Sequence, residues 1–382
     1  MPSKTRKTPR VGFLINPIAG MGGRVGLKGT DGVVEEAKAL GAQLVAPQRA
    51  IQFLKAFLRF SAKNLAVEWV TCPEPMGAKE LIEAGITPEI IPLDLDIETD
   101  ADDTKKAVEL LREREVQLIV FVGGDGTARD ILDALGDVDQ LPVLGVPAGV
   151  KMYSGIFAFS PEAAAGVLAD WLMGDTQLES FEIMDSDEAV IRQDEFAIKL
   201  HGYLQGPLVP ARMQGAKLSS PETINEHENQ EAIARTIIED MVEGDSYILG
   251  PGSTVRVVAQ LLGVEKTLLG VDLYHDGKIH LDVNEQQLLE LIPDFLHAWI
   301  IVSPIGNQGM VLGRGNQQIS PNIIKRIPAE QILIIATHSK VNSLVDRGLH
   351  IDTGDPAVDK ILSKYLRVLV DYRTWRMMKV SS

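Results

Sequence analysis

The run Leu118-Ile119-Val120-Phe121-Val122 leads directly into Gly123-Gly124-Asp125-Gly126-Thr127, and Ile131, Leu132 and Leu135 follow at helical spacing. Five apolar residues without alternation suit a strand whose sheet is covered on both faces, as in a parallel sheet flanked by helices. The glycines let the main chain turn tightly and approach a ligand without Cβ interference. The start of the next helix points N–H groups and the positive end of its dipole at the same spot, which suits a phosphate. Asp125, set among such donors, is placed to accept the proton of an attacking hydroxyl or to help hold Mg²⁺. A helix cap needs one polar residue, so two glycines, an acid and a third glycine exceed what a plain strand-to-helix turn requires.

Two further loops belong to the same sheet edge. Val11 to Ile15 reads as a strand ending in Asn16-Pro17-Ile18-Ala19-Gly20-Met21-Gly22-Gly23, in which Asn16, Gly20, Gly22 and Gly23 are candidate phosphate contacts. No Gly-Lys-Ser/Thr follows at P-loop spacing, and the dinucleotide fingerprint does not fit. Val143 to Val146 reads as a strand ending in Pro147-Ala148-Gly149-Val150-Lys151-Met152-Tyr153-Ser154-Gly155, where Gly149 and Lys151 are the candidates. Between these landmarks helix and strand alternate. Val33, Val34, Ala37 and Leu40 fit a helix, as do Gln48 to Phe60, Gly77 to Ala84 and Asp102 to Glu115, with strands around Ala66 to Val70 and near Ile90. Residues 11–155 therefore read as a doubly wound parallel α/β domain, which collects ligands beyond the carboxyl ends of its strands. Residues 1–10 read as a basic, solvated tail.

Residues 156–382 read as a second, mixed α/β domain, its C-terminal end expected to pack back on the first. Ser180 to Val209 predicts strands, and the polar Ser219 to Glu231 predicts a mobile loop. Ala232, Ile233, Thr236, Ile237 and Met241 fit a helix. Tyr247 to Leu249 fits a strand running into Gly250-Pro251-Gly252-Ser253-Thr254. Apolar runs at Thr267 to Leu273, Trp299 to Val302 and Ile332 to Ala336 predict further strands. Gly306 to Gly309 and Gly313 to Gln318 interleave glycine with Asn, Gln and Arg314, as an exposed loop or a polar binding site would.

Composition narrows the function. Over 382 residues, 37 Lys and Arg stand against 53 Asp and Glu, for a net charge of -16 and a pI near 4.9. That field repels nucleic acid and anionic membranes, while leaving a small anion free to bind local backbone donors. The single cysteine, Cys72, excludes an internal disulfide and a cysteine-rich zinc site and fits a reducing compartment. No apolar run approaches bilayer length. The seven histidines show no paired ligand spacing, so no structural metal is expected.

The Gly-Gly-Asp-Gly-Thr turn, preceded by Asn-Pro and a glycine stretch, resembles the NAD kinase and diacylglycerol kinase superfamily. Tyr247 to Thr254 is similar to the strand and Gly-Ser-Thr loop of NAD kinases, which favours that branch over the lipid kinases. The whole chain looks most like the divergent ATP-NAD kinase family, in Gly306 to Gly309, in Gly313 to Gln318 and in Asp352-Thr353-Gly354-Asp355 as well. The resemblance implies that Asp125 is the base for the adenosine-ribose 2′-hydroxyl of NAD. It implies that Gly123, Gly124, Gly126 and Thr127 face nucleotide phosphates, and that Gly252, Ser253 and Thr254 contact the dinucleotide. It also implies ATP as donor, Mg²⁺ as cofactor, and a cytoplasmic homo-oligomer. Two departures stand out: Pro147 to Lys151 replaces the Asn-x-Gly-x-x-Gly-Phe-Leu loop of NAD kinases, and Val255-Arg256 replaces the Ala-Tyr that follows their Ser-Thr. The pair Asn225-Glu226 lies in a polar stretch and is not counted as a site.

The expected activity is transfer of a phosphoryl group from ATP or polyphosphate to NAD or a related acceptor. A nucleotide sensor without turnover and, further off, a lipid kinase of the diacylglycerol branch are the rivals. The lipid kinase would need a basic amphipathic surface that the acidic balance does not supply.

Overall fold

The computed structural model describes residues 8–27, 34–61, 65–95, 99–136, 141–149, 152–186, 198–209, 212–213, 224–305, 309–344, 348–363 and 365–381. The chain divides into two units. The first takes in residues 1–21, 43–187 and 197–216, and the second residues 22–42, 188–196 and 217–382. The boundary expected near residue 155 thus lies inside the first unit.

In the first unit, β1 (Arg10–Ile15), β2 (Glu68–Thr71), β3 (Glu89–Ile90), β4 (Leu118–Gly123) and β5 (Val143–Pro147) form one sheet in the order β3-β2-β1-β4-β5. Every neighbouring pair is parallel. The continuous apolar run of β4 is wholly buried, as a strand covered on both faces requires. Helix Ala46–Ser61 packs on Ala78–Glu83 and on Pro161–Met173, while Ala101–Glu113 packs on Asp125–Leu135. Right-handed crossovers put these two groups on opposite faces of the sheet. Chain direction reverses its march between β1 and β4, which makes the gap beyond their carboxyl ends the switch point where such sheets bind ligands. An antiparallel hairpin, β6 (Gln177–Ser186) with β7 (Ile198–Leu208), completes the unit.

Arg10, expected in a tail, begins β1 and bonds Glu89 on β3. Residues 1–7 lie outside the described residues.

Cys72 is fully buried here, and burial pushes its thiol up to about 12. An unfolded thiol titrates near 9.0. Stability from this group is therefore complete below that pH and is lost as pH rises through 9 towards 12, because only the unfolded state sheds the proton. A thiol reagent at neutral pH should leave Cys72 unmodified in the native protein and react fully in denaturant; rapid native modification would contradict this burial.

The second unit holds a nine-stranded mixed sheet, ordered β10-β9-β8-β11-β13-β15-β16-β14-β12. Its strands are β8 (Ser246–Leu249), β9 (Asp272–His275), β10 (Lys278–His280), β11 (Ala298–Val302), β12 (Met310–Leu312), β13 (Ile332–Ile335), β14 (Leu349–Ile351), β15 (Tyr365–Asp371) and β16 (Thr374–Ser381). β8, β11, β13 and β15 run parallel to one another; β16 turns back, and β14 and β12 follow its direction. The C-terminal strand is thus a member of this sheet.

Three expectations change here. Helix Val34–Ala39 belongs to this second unit. The run expected as a strand from Thr267 begins one at Asp272, because Asp272 accepts hydrogen bonds from the Thr267 backbone and hydroxyl and closes the preceding residues into a turn. The last part of the expected mobile loop, from Ile224, is the first turns of helix Ile224–Asp240; residues 214–223 lie outside the described residues.

Candidate active site

In the first unit three loops converge beyond β1, β4 and β5. Asn16 closes β1: its N–H donates to the Val122 carbonyl, its Nδ2 to the Thr127 hydroxyl at 3.0 Å, and its Oδ1 accepts from the Ile18 N–H. Asn16 and Thr127 therefore lock two loops together, and Thr127 is only 2% exposed. Gly20 has φ +76, and a Cβ there would collide with the Ala148 carbonyl. A Cβ on Gly124 would lie 3.0 Å from the Gly149 Cα. The β4 and β5 loops can touch only because both residues lack side chains. Gly123 ends β4 against Thr127, and Gly126 is half-exposed in the first turn of the helix. Met21 is the last residue of this unit in the first loop. Gly22 and Gly23 belong to the second unit, where the neighbouring Arg24 carbonyl accepts from the Glu285 N–H. Lys151 lies outside the described residues.

Asp125 is the first residue of helix Asp125–Leu135, whose cap position, Gly124, lays no side chain over the first turn. The carboxylate reaches across to the β5 loop. Its Oδ2 accepts the Tyr153 N–H at 2.6 Å and its Oδ1 the Ser154 N–H at 3.0 Å. Two main-chain donors of the β5 loop thus fix its orientation. The hairpin braces that loop in turn: the Ser154 hydroxyl accepts from the Met184 N–H, and Gly155 N–H donates to the Glu182 carbonyl. The Tyr153 phenol is pushed well up, by burial first and by the Asp125 charge second. It stays protonated at neutral pH. Sequence reasoning singled out Asp125 but not the Tyr153 and Ser154 amides that aim it. A main-chain donor carries no residue-type signal.

Residues 11–176 match the profile of the ATP-NAD kinase N-terminal domain, and residues 242–380 that of the ATP-NAD kinase C-terminal domain. The chain belongs to the ATP-NAD kinase family. A search of curated proteins found no match. Membership gives the coarse assignment, a kinase-type function on an NAD-like substrate.

In the second unit, the family's Gly-Ser-Thr loop leaves β8 and starts helix Ser253–Leu261 with Gly252 as its cap position. Gly250 N–H donates to the Ile301 carbonyl and Gly252 N–H to that of Leu268. Behind this loop, Lys266 and Asp272 form a wholly buried ion pair at 3.3 Å. Thr254 is 1% exposed and packs inward, whereas Ser253 stays half-exposed and lies 3.5 Å from the Gln230 Nε2. The same carboxyl edge gathers residues that the sequence reading did not select. Lys340 Nζ lies 3.4 Å from the Ser303 hydroxyl, the Thr337 hydroxyl donates to Glu226 at 2.5 Å, and Asn229 Oδ1 accepts the His338 N–H. Glu226, set aside earlier as part of a polar stretch, thus stands at this edge on the first turn of a helix. Gly306 to Gln308 lie outside the described residues. Among the described residues no group of three or more His, Cys, Asp or Glu could hold a metal ion, and no helix is long and apolar enough to cross a membrane.

Proposed function

We propose that the protein transfers the terminal phosphoryl group of ATP, or of polyphosphate, to the 2′-hydroxyl of NAD or a closely related nucleotide, in the cytoplasm. One observation carries this reading: Asp125 stands at the switch point of a phosphate-suited loop cluster, with its carboxylate held by the Tyr153 and Ser154 amides. The acceptor hydroxyl gives its proton to Asp125 as its oxygen bonds to the γ-phosphorus, the β–γ bridging bond breaks, and ADP leaves. The backbone N–H groups at the start of helix Asp125–Leu135 face the growing charge. Mg²⁺ would be held chiefly by substrate phosphate oxygens and water, with Asp125 as the neighbouring carboxylate and its N–H partners facing anionic oxygen, not the ion. The ion would neutralise phosphate charge.

The second reading, nucleotide sensing without turnover, is favoured by the same bonds, since each carboxylate oxygen already accepts an N–H. Purified protein given ATP, Mg²⁺ and NAD separates the two. NADP accumulating with time supports the kinase. A thermal shift with NAD but no phosphorylated product supports the sensor.

A further inference from the structure

β8, β11, β13 and β15 lie side by side and parallel, so their carboxyl ends form one edge, the place where open α/β sheets bind ligands. The chain brings small, hydroxyl-bearing residues to it. β8 runs into Gly252 and Ser253, Ser303 follows β11, and Thr337 caps the helix His338–Ser343 after β13. A Cβ on Gly252 would lie 4.0 Å from the Ser303 Cβ, so the ends of β8 and β11 meet here. Lys340 brings a cation to the same place: its N–H donates to the Thr337 hydroxyl and its Nζ lies 3.4 Å from the Ser303 hydroxyl. Glu226 accepts the Thr337 hydroxyl and Asp371 faces the His338 ring at 3.3 Å, so each of these acids has a partner on the same edge.

Ser253 and Lys340 are both half-exposed, so a ligand reaches them from solvent without displacing the core. The Ser253 oxygen lies 3.5 Å from the Gln230 Nε2 and the Ser303 oxygen faces the Lys340 ammonium. Each oxygen accepts from a neighbour, so each hydroxyl can turn its own hydrogen towards an anion. The Ser303 hydroxyl is a neutral acceptor, and an ammonium gains about twice as much from an anionic one. On a chain of net charge -16, a lysine at this edge also offsets the field that repels such an anion. We propose that Lys340 binds a phosphate of a nucleotide at this edge, with the Ser303 and Ser253 hydroxyls donating to the same group. The phosphate belongs to the dinucleotide or to the triphosphate, which share that chemistry. The inference rests on nucleotide binding, common to both readings above, and not on turnover.

Calorimetric titration of the full chain with NAD and with ATP tests it, with adenosine as the probe that shares their base and ribose but carries no phosphate. The wild type should bind at least one of the two nucleotides, and the one whose affinity depends on Lys340 supplies the phosphate. Lys340→Gln keeps a donor for Ser303 and removes the charge. It should weaken that nucleotide about ten- to a hundredfold, the worth of a hydrogen bond to a charged group, and leave adenosine binding and the ligand-free melting temperature at the wild-type level. Lys340→Arg should recover most of the affinity. Ser303→Ala, which takes a donor from the same anion and leaves the charge, should weaken the same nucleotide about fivefold, and it decides the question if Lys340→Gln folds poorly. Nucleotide affinity unchanged in these variants, a loss equal for adenosine and nucleotide, or no nucleotide binding by the wild type would overturn the proposal. NADP formed by the wild type alongside unchanged affinity in Lys340→Gln would sink this inference alone; weakened binding without any NADP would sink phosphoryl transfer alone.

Discussion

Asp125→Asn should lower turnover by about 10²–10⁴-fold, the usual worth of a positioned general base, while the folded variant keeps its nucleotide affinity. The amide is nearly isosteric and keeps one oxygen for a backbone N–H. It loses the charge and one acceptor, which face the Tyr153 and Ser154 amides. The prediction therefore separates two roles that share one side chain. If Asp125 serves only to tie the β4 loop to the β5 loop, the variant melts earlier and any residual activity tracks the folded fraction. If it serves as the base, the folded variant binds ATP and NAD in calorimetry and forms little NADP. Product formation at the wild-type rate would remove it from the chemistry.

The second large effect belongs to Gly20→Ala, expected to cost about 2–5 kcal/mol, the sum of left-handed backbone strain and overpacking. The Gly20 φ of +76 already disfavours a side chain, and the added Cβ would sit inside the Ala148 carbonyl. Ala148 and Gly149 are main chain at the end of β5 and cannot step aside as a flexible side chain would. Gly149 in turn lies against Gly124, so the push reaches the turn that presents Asp125. Gly85→Ala is the control. Its φ is +82 but nothing lies within 4 Å of the added Cβ, so it bears the backbone strain alone, about 1–2 kcal/mol. Denaturant midpoints compare the two directly. Equal losses would show that the approach of the first loop to Ala148 carries no energy.

Where the sequence was readable, it was because burial and chemistry pointed the same way. The five apolar residues of β4, bounded by glycines, read as a covered strand, and the glycines and acid after it exceeded what a helix start needs. The carboxyl edge of the second unit was harder. Helix Ile224–Asp240 begins with polar residues whose partners, Thr337 and Val370, lie more than a hundred positions away. Local pattern therefore read as loop what tertiary hydrogen bonds hold as helix. Thr254 and Ser253 are adjacent and equally polar, and only the packing shows that the first faces inward. The glycine stretch after Asn16 read as one cradle, but the chain passes from one unit to the other between Met21 and Gly22, a division that spacing does not record. Gly313 to Gln318 and Asp352 to Asp355 were visible as motifs. Their meeting was not, because it depends on β14 lying beside β12 in parallel.

The most direct measurement is a crystal structure of the full chain with NAD and a non-hydrolysable ATP analogue. The account predicts the adenosine-ribose 2′-oxygen at about 2.6–3.2 Å from an Asp125 carboxylate oxygen, the reach a general base requires. A ribose bound elsewhere, with the Asp125 carboxylate still held by Tyr153 and Ser154 and no acceptor hydroxyl within reach, would contradict it.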